Sequence, residues 1–201
     1  MDATRSERYS LRRRDVVKAL LAERGDALVV AGLGAPAWDV TAAGDHALSF
    51  PLWGAMGGAA MVGLGLALAQ PARRVLVITG DGEMLMALGS LATVAAQAPR
   101  NLAIVVLDNE RYGETGMQAT HTAWGVDLAA VAAGAGLPVA ETVTETAELD
   151  AAIVKVRTAP GPVFVTVKVR AETLPLVLPP RDGAYLKDRF RTALLGAAAT
   201  P

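Results

Sequence analysis

Short, unbroken runs of valine, isoleucine, leucine and alanine, set between alanine-rich stretches of helical length, constrain this chain more than any other feature. Candidate strands fall at 27–31, 75–79, 102–107, 139–142 and 163–169. A strand with one face in water alternates apolar and polar residues. A run that is apolar throughout has both faces covered, as in a parallel sheet flanked by helices. The intervening stretches 11–24, 56–69, 84–97, 128–134, 145–158 and 184–195 predict helices. Strand and helix in alternation mean an α/β fold: a doubly wound, mostly parallel sheet with helices on both faces. No composition shift marks a boundary. The expectation is therefore a single domain over 1–201, with an N-terminal helix and a C-terminal arm at the three prolines of 174–180.

Composition excludes several function classes. Hydrophobic residues make up 52% and charged residues 19%, the reverse of the balance that disorder needs. Twenty acidic against 19 basic residues give a net charge of −1, so no global field draws the chain to nucleic acid or an anionic membrane. Three each of Phe, Trp and Tyr are too few for base-stacking platforms. The absence of cysteine excludes disulfides, zinc thiolates, cysteine-held iron–sulfur clusters and a cysteine nucleophile, and fits a reducing compartment. His46 and His121 are the only histidines. Acids interrupt the basic residues near the N-terminus and no apolar stretch follows, so no signal peptide is read there and a cytoplasmic location is expected. Residues 12–14, all arginine, read as a solvated helix face. The uncharged segment 47–72 is long enough to span a bilayer. Pro51, Pro71 and five glycines instead favour a buried helix whose glycines let backbones approach, so no membrane partner is expected.

Two glycine turns are candidates for chemistry. Gly32 and Gly34, followed by Ala37, match the loose dinucleotide pattern G-x-G-x-x-A. That pattern also wants an acid about twenty residues on, and 48–52 reads Leu-Ser-Phe-Pro-Leu. A plain turn, or a phosphate contact for another cofactor, stays open. Gly80, Asp81 and Gly82 follow strand 75–79 at the edge where open α/β sheets bind ligands. Glycines admit a close ligand, the carboxylate is a hard oxygen donor for Mg²⁺ or Ca²⁺, and the helix that follows favours an anion. After the next strand come Asp108, Asn109, Glu110, Arg111, Tyr112 and Gly113. Adjacent parallel strands would bring Asn109 near Asp81. A carboxylate, an amide oxygen and a backbone carbonyl form half an octahedron, which phosphate oxygens and water complete. The long segment 108–124 that follows is of the kind that carries function.

Gly-Asp-Gly followed by Asn, with 26 residues between Gly82 and Asn109, resembles the thiamine diphosphate (ThDP) motif. The resemblance implies that Asp81, the Asn109 side chain and the Arg111 carbonyl hold Mg²⁺, and that Mg²⁺ holds the diphosphate. Gly80, Gly82 and Glu83 belong to the same contact region, and Gly34 and Ala35 lie beside the diphosphate. Leu-Trp-Gly-Ala-Met-Gly at 52–57 resembles a second family element. It implies that the Gly54 carbonyl accepts from the aminopyrimidine and that Met56 holds the two rings in a V.

The order of these motifs, with Tyr112 to Gln118 and the Lys187–Phe190 stretch, is most similar to the ThDP-binding half of sulfopyruvate and phosphonopyruvate decarboxylases. That half can be a separate subunit. Asp108 stands where the family often has Asn, Met117 where a second glycine is expected, and His121 where a small or aromatic residue is more usual. Glu114, Thr115, Gln118 and His121 are the candidates for proton transfer or substrate contact. The implied reaction converts a short 2-oxo acid into an aldehyde and CO₂. The glutamate that activates the cofactor belongs, in the family, to a pyrimidine-binding domain that a chain this short lacks. A pyrimidine-domain partner subunit and a hetero-oligomer are therefore implied. Other readings are an acetolactate synthase-like carboligase subunit, the small subunit of a 2-oxoacid oxidoreductase, and a regulatory subunit with a degenerate site.

Overall fold

The apolar runs do pair into one parallel sheet, and the computed structural model describes residues 4–199 of the chain around it. In chain order, α1 (Arg13–Leu21) leads to β1 (Leu28–Ala31), α2 (Ala35–Ala42), β2 (Ser49–Pro51) and α3 (Ala59–Ala69). Next come β3 (Val75–Gly80), α4 (Asp81–Met86), α5 (Leu88–Gln97) and β4 (Leu102–Asp108). A small antiparallel hairpin, β5 (Arg111–Tyr112) and β6 (Gln118–Ala119), precedes α6 (Leu128–Gly134). The chain ends with β7 (Val139–Val143), α7 (Thr146–Thr158), β8 (Val163–Lys168) and α8 (Gly183–Leu195). Among the described residues the main sheet has six strands in the order β2-β1-β3-β4-β8-β7, every neighbouring pair parallel.

Alternate residues of each strand point to opposite faces, and both faces are apolar. Val29, Ile78, Val105 and Val165 pack with Val17 of α1, Val40 of α2 and Ile153 of α7. Leu28, Val77, Ile104 and Phe164 pack on the other side with Leu64 of α3, Leu91 of α5 and Leu128 of α6. This is the doubly wound arrangement, with helices on both faces, that continuous apolar strands require. At Gly63 an added Cβ would stand 2.2 Å from the Val77 Cγ2, so α3 lies with its backbone directly on β3.

Several expectations need correction. Segment 47–72 is not one buried helix: it divides into β2, a turn and α3, and on α3 Met61 and Leu68 are 42% and 50% exposed. Among the described residues no helix is long and apolar enough to cross a membrane. The helix expected at 84–97 is two helices, because Ala87 leaves helical geometry at φ −117°, ψ 25°. The solvated face expected at 12–14 is also wrong. Nη1 of buried Arg13 donates to the buried Asp39 Oδ2 at 2.7 Å, and Arg14 Nε donates to Oδ1 at 3.0 Å. Arg12 pairs with Glu172. The cause is Asp39 on α2: a carboxylate buried between helices needs cationic partners, and α1 supplies them.

After β8 the chain runs without regular structure to α8, which packs on the far edge strand through Phe190 and Phe50, ring centroids 5.5 Å apart. On the way it meets the turn after β2. Trp53 Nε1 donates to the Pro180 carbonyl at 2.7 Å, and the Arg181 guanidinium lies over the Trp53 ring at 5.8 Å.

Candidate functional site

The chain passes from β1 to β2 on one side and returns to lay β3 on the other, so the strand order reverses between β1 and β3. Open α/β sheets bind ligands in the crevice that such a reversal leaves at the carboxyl ends. A cavity of about 500 Å³ lies there. The turns after β1, β3 and β4 bound it, Met56 and Met86 form part of its rim, and α1 contributes Arg13.

Of the residues singled out in the sequence, Ala35, Met56, Gly80, Asp81, Gly82, Glu83, Asn109, Arg111, Glu114 and Thr115 line this cavity. Gly34, Gly54, Gln118 and His121 do not. Gly34 sits just behind the wall at φ +78°, and a Cβ on it would come within 3.0 Å of the Glu114 carboxylate. Gly54 is exposed, with no atom within 4 Å of where its Cβ would be. Gln118 is turned into its own hairpin. Thr115 Oγ1 donates to the Gln118 side-chain oxygen Oε1 at 2.9 Å, and Gln118 Nε2 donates back to the Thr115 backbone carbonyl at 2.7 Å. His121 is exposed at the start of a 3₁₀ turn, His121–Trp124, whose middle residues are buried.

At the polar end of the cavity Asp81 begins α4 and is 2% exposed. Thr120 Oγ1 donates to Asp81 Oδ2 at 2.5 Å, and Thr122 Oγ1 reaches the same oxygen at 3.3 Å. Burial, and then the neighbouring Asp108, push the Asp81 carboxyl up to about 7. Asp108 accepts from Thr122 Oγ1 at 2.8 Å and from Lys168 Nζ at 2.7 Å. Beside it Asn109 makes a tight turn, its Oδ1 accepting from the Arg111 amide at 3.0 Å. Glu110 follows in the left-handed region at φ +61°.

Glu83 lines the wall but its carboxylate is engaged with the protein. Oε2 accepts from the Leu33 amide at 3.1 Å and from Thr79 Oγ1 at 2.8 Å, while Oε1 accepts from the amides of Gly57 and Ala59 at 3.2 and 3.3 Å. One side chain thus ties the turn after β1 to the loop before α3. Gly82 is covered by the Tyr112 ring, whose Cε1 would stand 2.6 Å from an added Cβ, with the Met56 methyl at 3.6 Å. Glu114 stands at the cavity mouth, its pKa raised by burial and opposed by Arg13.

The sequence reading missed Arg13, Leu33, Pro36, Met86 and Val169 on the cavity wall, and gave no site role to Tyr112, which it placed in the turn after 102–107. It also missed Thr120, Thr122 and Lys168 behind Asp81 and Asp108. The threonines lie in a loop without periodicity, and only the fold shows which hydroxyl reaches which carboxylate. The arrangement sets hard oxygen donors and a buried anionic cluster at one end of a cavity whose remaining wall is largely apolar. That suits a small divalent cation with an anionic group on it, and a ring system further out.

Known proteins carry the same pattern. Residues 33–167 match the family described as thiamine pyrophosphate enzyme, C-terminal TPP binding domain. The sulfopyruvate decarboxylase subunit beta of Methanothermobacter thermautotrophicus is 37% identical over 187 residues, 93% of this chain and 97% of that protein. The phosphonopyruvate decarboxylase of Streptomyces viridochromogenes is 41% identical over 190 residues, 92% of this chain but 47% of that longer protein. Among solved structures, benzoylformate decarboxylase from Polynucleobacter necessarius superposes with a TM-score of 0.66 over 83% of this chain and 34% of its own, at 21% identity. That likeness is one of fold.

Proposed function

The chain belongs to the thiamine pyrophosphate enzyme family, in its C-terminal TPP-binding domain, and from that premise we propose that it is the ThDP- and Mg²⁺-binding subunit of a heteromeric 2-oxoacid decarboxylase. Its substrate class is a short 2-oxo acid, sulfonated or phosphonated, and its products are an aldehyde and CO₂. The match to a separate beta subunit over nearly its whole length supports both the subunit reading and the substrate class. In this reading residues 1–201 are one ThDP-binding domain, and a chain without cysteine suits the cytoplasm.

One observation carries the proposal. A buried carboxylate, Asp81, lies at the strand-order reversal with its pKa pushed up to about 7, next to a second carboxylate and on a wall shared with Asn109. A divalent cation relieves that situation directly, by favouring the ionised form of Asp81. The donor set fits Mg²⁺: the Asp81 carboxylate, the Asn109 amide oxygen and the Arg111 carbonyl are hard oxygens, with diphosphate and water for the other positions.

When bound, ThDP supplies the electron sink for the pair left behind by departing CO₂. The chain's own residues bind and orient. Gly80 and Gly82 would let the diphosphate come close to the backbone, with Gly34 and Ala35 beside it. Met56, on the cavity wall, would hold the cofactor rings, and the Gly54 carbonyl would accept from the aminopyrimidine. Glu83 acts through the backbone it holds in place. Glu114 and Thr115 face the substrate from the mouth, and Glu114 is the group there able to hold or release a proton. Gln118 and His121 lie outside the cavity.

Neither Glu83 nor Glu110 is free to serve the pyrimidine ring, since backbone amides hold one and cations the other. That supports a pyrimidine-domain partner as the source of the catalytic glutamate.

The test is turnover of sulfopyruvate and phosphonopyruvate by this chain alone and by the complex it forms with its partner subunit. Aldehyde and CO₂ released by the complex and not by the chain alone are expected. Full activity of the chain alone, or condensation of two 2-oxo acids by the complex without aldehyde release, overturns the proposal.

A further inference from the structure

The turn that carries Asn109 and the Arg111 carbonyl is strained and buried. Glu110 between them has φ +61°, a left-handed conformation that is unfavourable for a residue with a Cβ, and its side chain is fully buried. Something must hold it there. Glu110 Oε1 accepts from Arg5 Nε at 2.9 Å and Arg5 Nη2 at 2.7 Å, and Oε2 accepts from Arg5 Nε at 3.1 Å. Tyr9 Oη donates to Oε1 at 2.8 Å and Lys168 Nζ at 3.1 Å. These donors outweigh the burial that opposes ionisation and hold the Glu110 carboxyl below its ordinary range.

Arg5 does more than bind Glu110. Its Nη2 also donates to the Thr122 carbonyl at 2.9 Å. The hydroxyl of that same threonine donates to Asp108 and reaches Asp81. The Thr120 amide donates to the Glu110 carbonyl at 3.0 Å, and the Thr120 hydroxyl donates to Asp81. One guanidinium therefore ties together the two turns, 108–111 and 120–122, that surround Asp81. Arg5 itself lies outside the cavity. Its segment is pinned separately: the Ala171 amide donates to the Ser6 carbonyl, the Arg170 amide to the Leu11 carbonyl, and Arg170 Nε to the Tyr9 carbonyl.

We propose that Arg5, assisted by Tyr9, is a positioning residue for the metal site: through Glu110 and Thr122 it fixes the spacing of the oxygen donors at Asp81, Asn109 and Arg111. The inference rests on the reading of that site as a Mg²⁺–diphosphate site. It predicts a dependence on metal identity. Mg²⁺ demands near-ideal octahedral geometry, whereas Ca²⁺ tolerates irregular shells and longer bonds. Loosening the turns therefore weakens the Mg²⁺ complex more than the Ca²⁺ complex.

The experiment is calorimetric titration of ThDP in Mg²⁺ and in Ca²⁺, on the wild-type complex with its partner and on Arg5→Met, with thermal unfolding recorded for each. Partners of metal ligands are worth roughly 10–100-fold in affinity. ThDP affinity in Mg²⁺ should fall by about tenfold or more in Arg5→Met, with a much smaller fall in Ca²⁺. Tyr9→Phe keeps the ring packing and should shift the ratio in the same direction by less, which serves if Arg5→Met folds poorly. Equal losses in both metals, or no loss in either, overturn the inference while wild-type binding still upholds the site. A wild type that binds no ThDP in either metal overturns the site, and the inference falls with it.

Discussion

Asp81 and Asn109 were legible as residues because their chemistry and spacing are local properties of the chain. Glu83 was not. Its type suits a cofactor contact as well as a structural one, and only the fold shows Leu33, Gly57 and Ala59 presenting unpaired amides to it. The same limit applies to Arg13, which in the sequence is one of three adjacent arginines and in the fold is buried against Asp39. Gly82 gives the sharpest prediction at this scale. It lies within α4, where alanine is the better helix former by about 1 kcal/mol. That gain is opposed, because the added Cβ collides with the Tyr112 ring and takes the space beside Met56, so Gly82→Ala should lower the unfolding midpoint modestly. ThDP affinity should therefore drop at least tenfold in a titration, and Gly82→Ala combined with Tyr112→Ala should recover part of it. Unchanged affinity in the single variant would mean that Gly82 is not where the diphosphate approaches.

The long strands and helices could be read with small boundary errors because their apolar periods are sustained. The helix at 128–134 falls on its expected bounds. The elements that escaped are short. β2 has three residues and contains a proline, and α2 follows directly on a glycine turn. Neither offers enough periodicity to stand out, yet α2 supplies Ala35 and Pro36 to the cavity wall. The contact between α1 and α2 is testable by itself. Asp39 is buried with two arginines, and removing it leaves the buried Arg13 without its charge partner. Asp39→Ala should cost about 3–5 kcal/mol in urea unfolding. Arg14→Ala should cost much less, because Arg14 is partly exposed and Arg13 remains. A loss under about 1 kcal/mol for Asp39→Ala would show that the two helices do not depend on this pair.

For the molecule as a whole, the parallel doubly wound sheet was implied by five continuous apolar runs, and the crevice follows from the topology. The sequence could not show that the order reverses between β1 and β3, since strand order depends on which pairs hydrogen-bond. It also could not show that the N-terminal segment reaches across to Glu110, or that the chain after β8 returns to Trp53. Those contacts join residues more than a hundred positions apart. Contacts from both ends of the chain thus brace the turns around the cavity without lining it. The central claim is a Mg²⁺-dependent ThDP site built on Asp81. The most direct measurement is calorimetric titration of the purified complex with ThDP, with and without Mg²⁺ and with NAD as control, on the wild type and Asp81→Ala. ThDP binding that requires Mg²⁺ and disappears in Asp81→Ala is the predicted result; binding of NAD instead, or of ThDP indifferent to both Mg²⁺ and Asp81, would contradict the account.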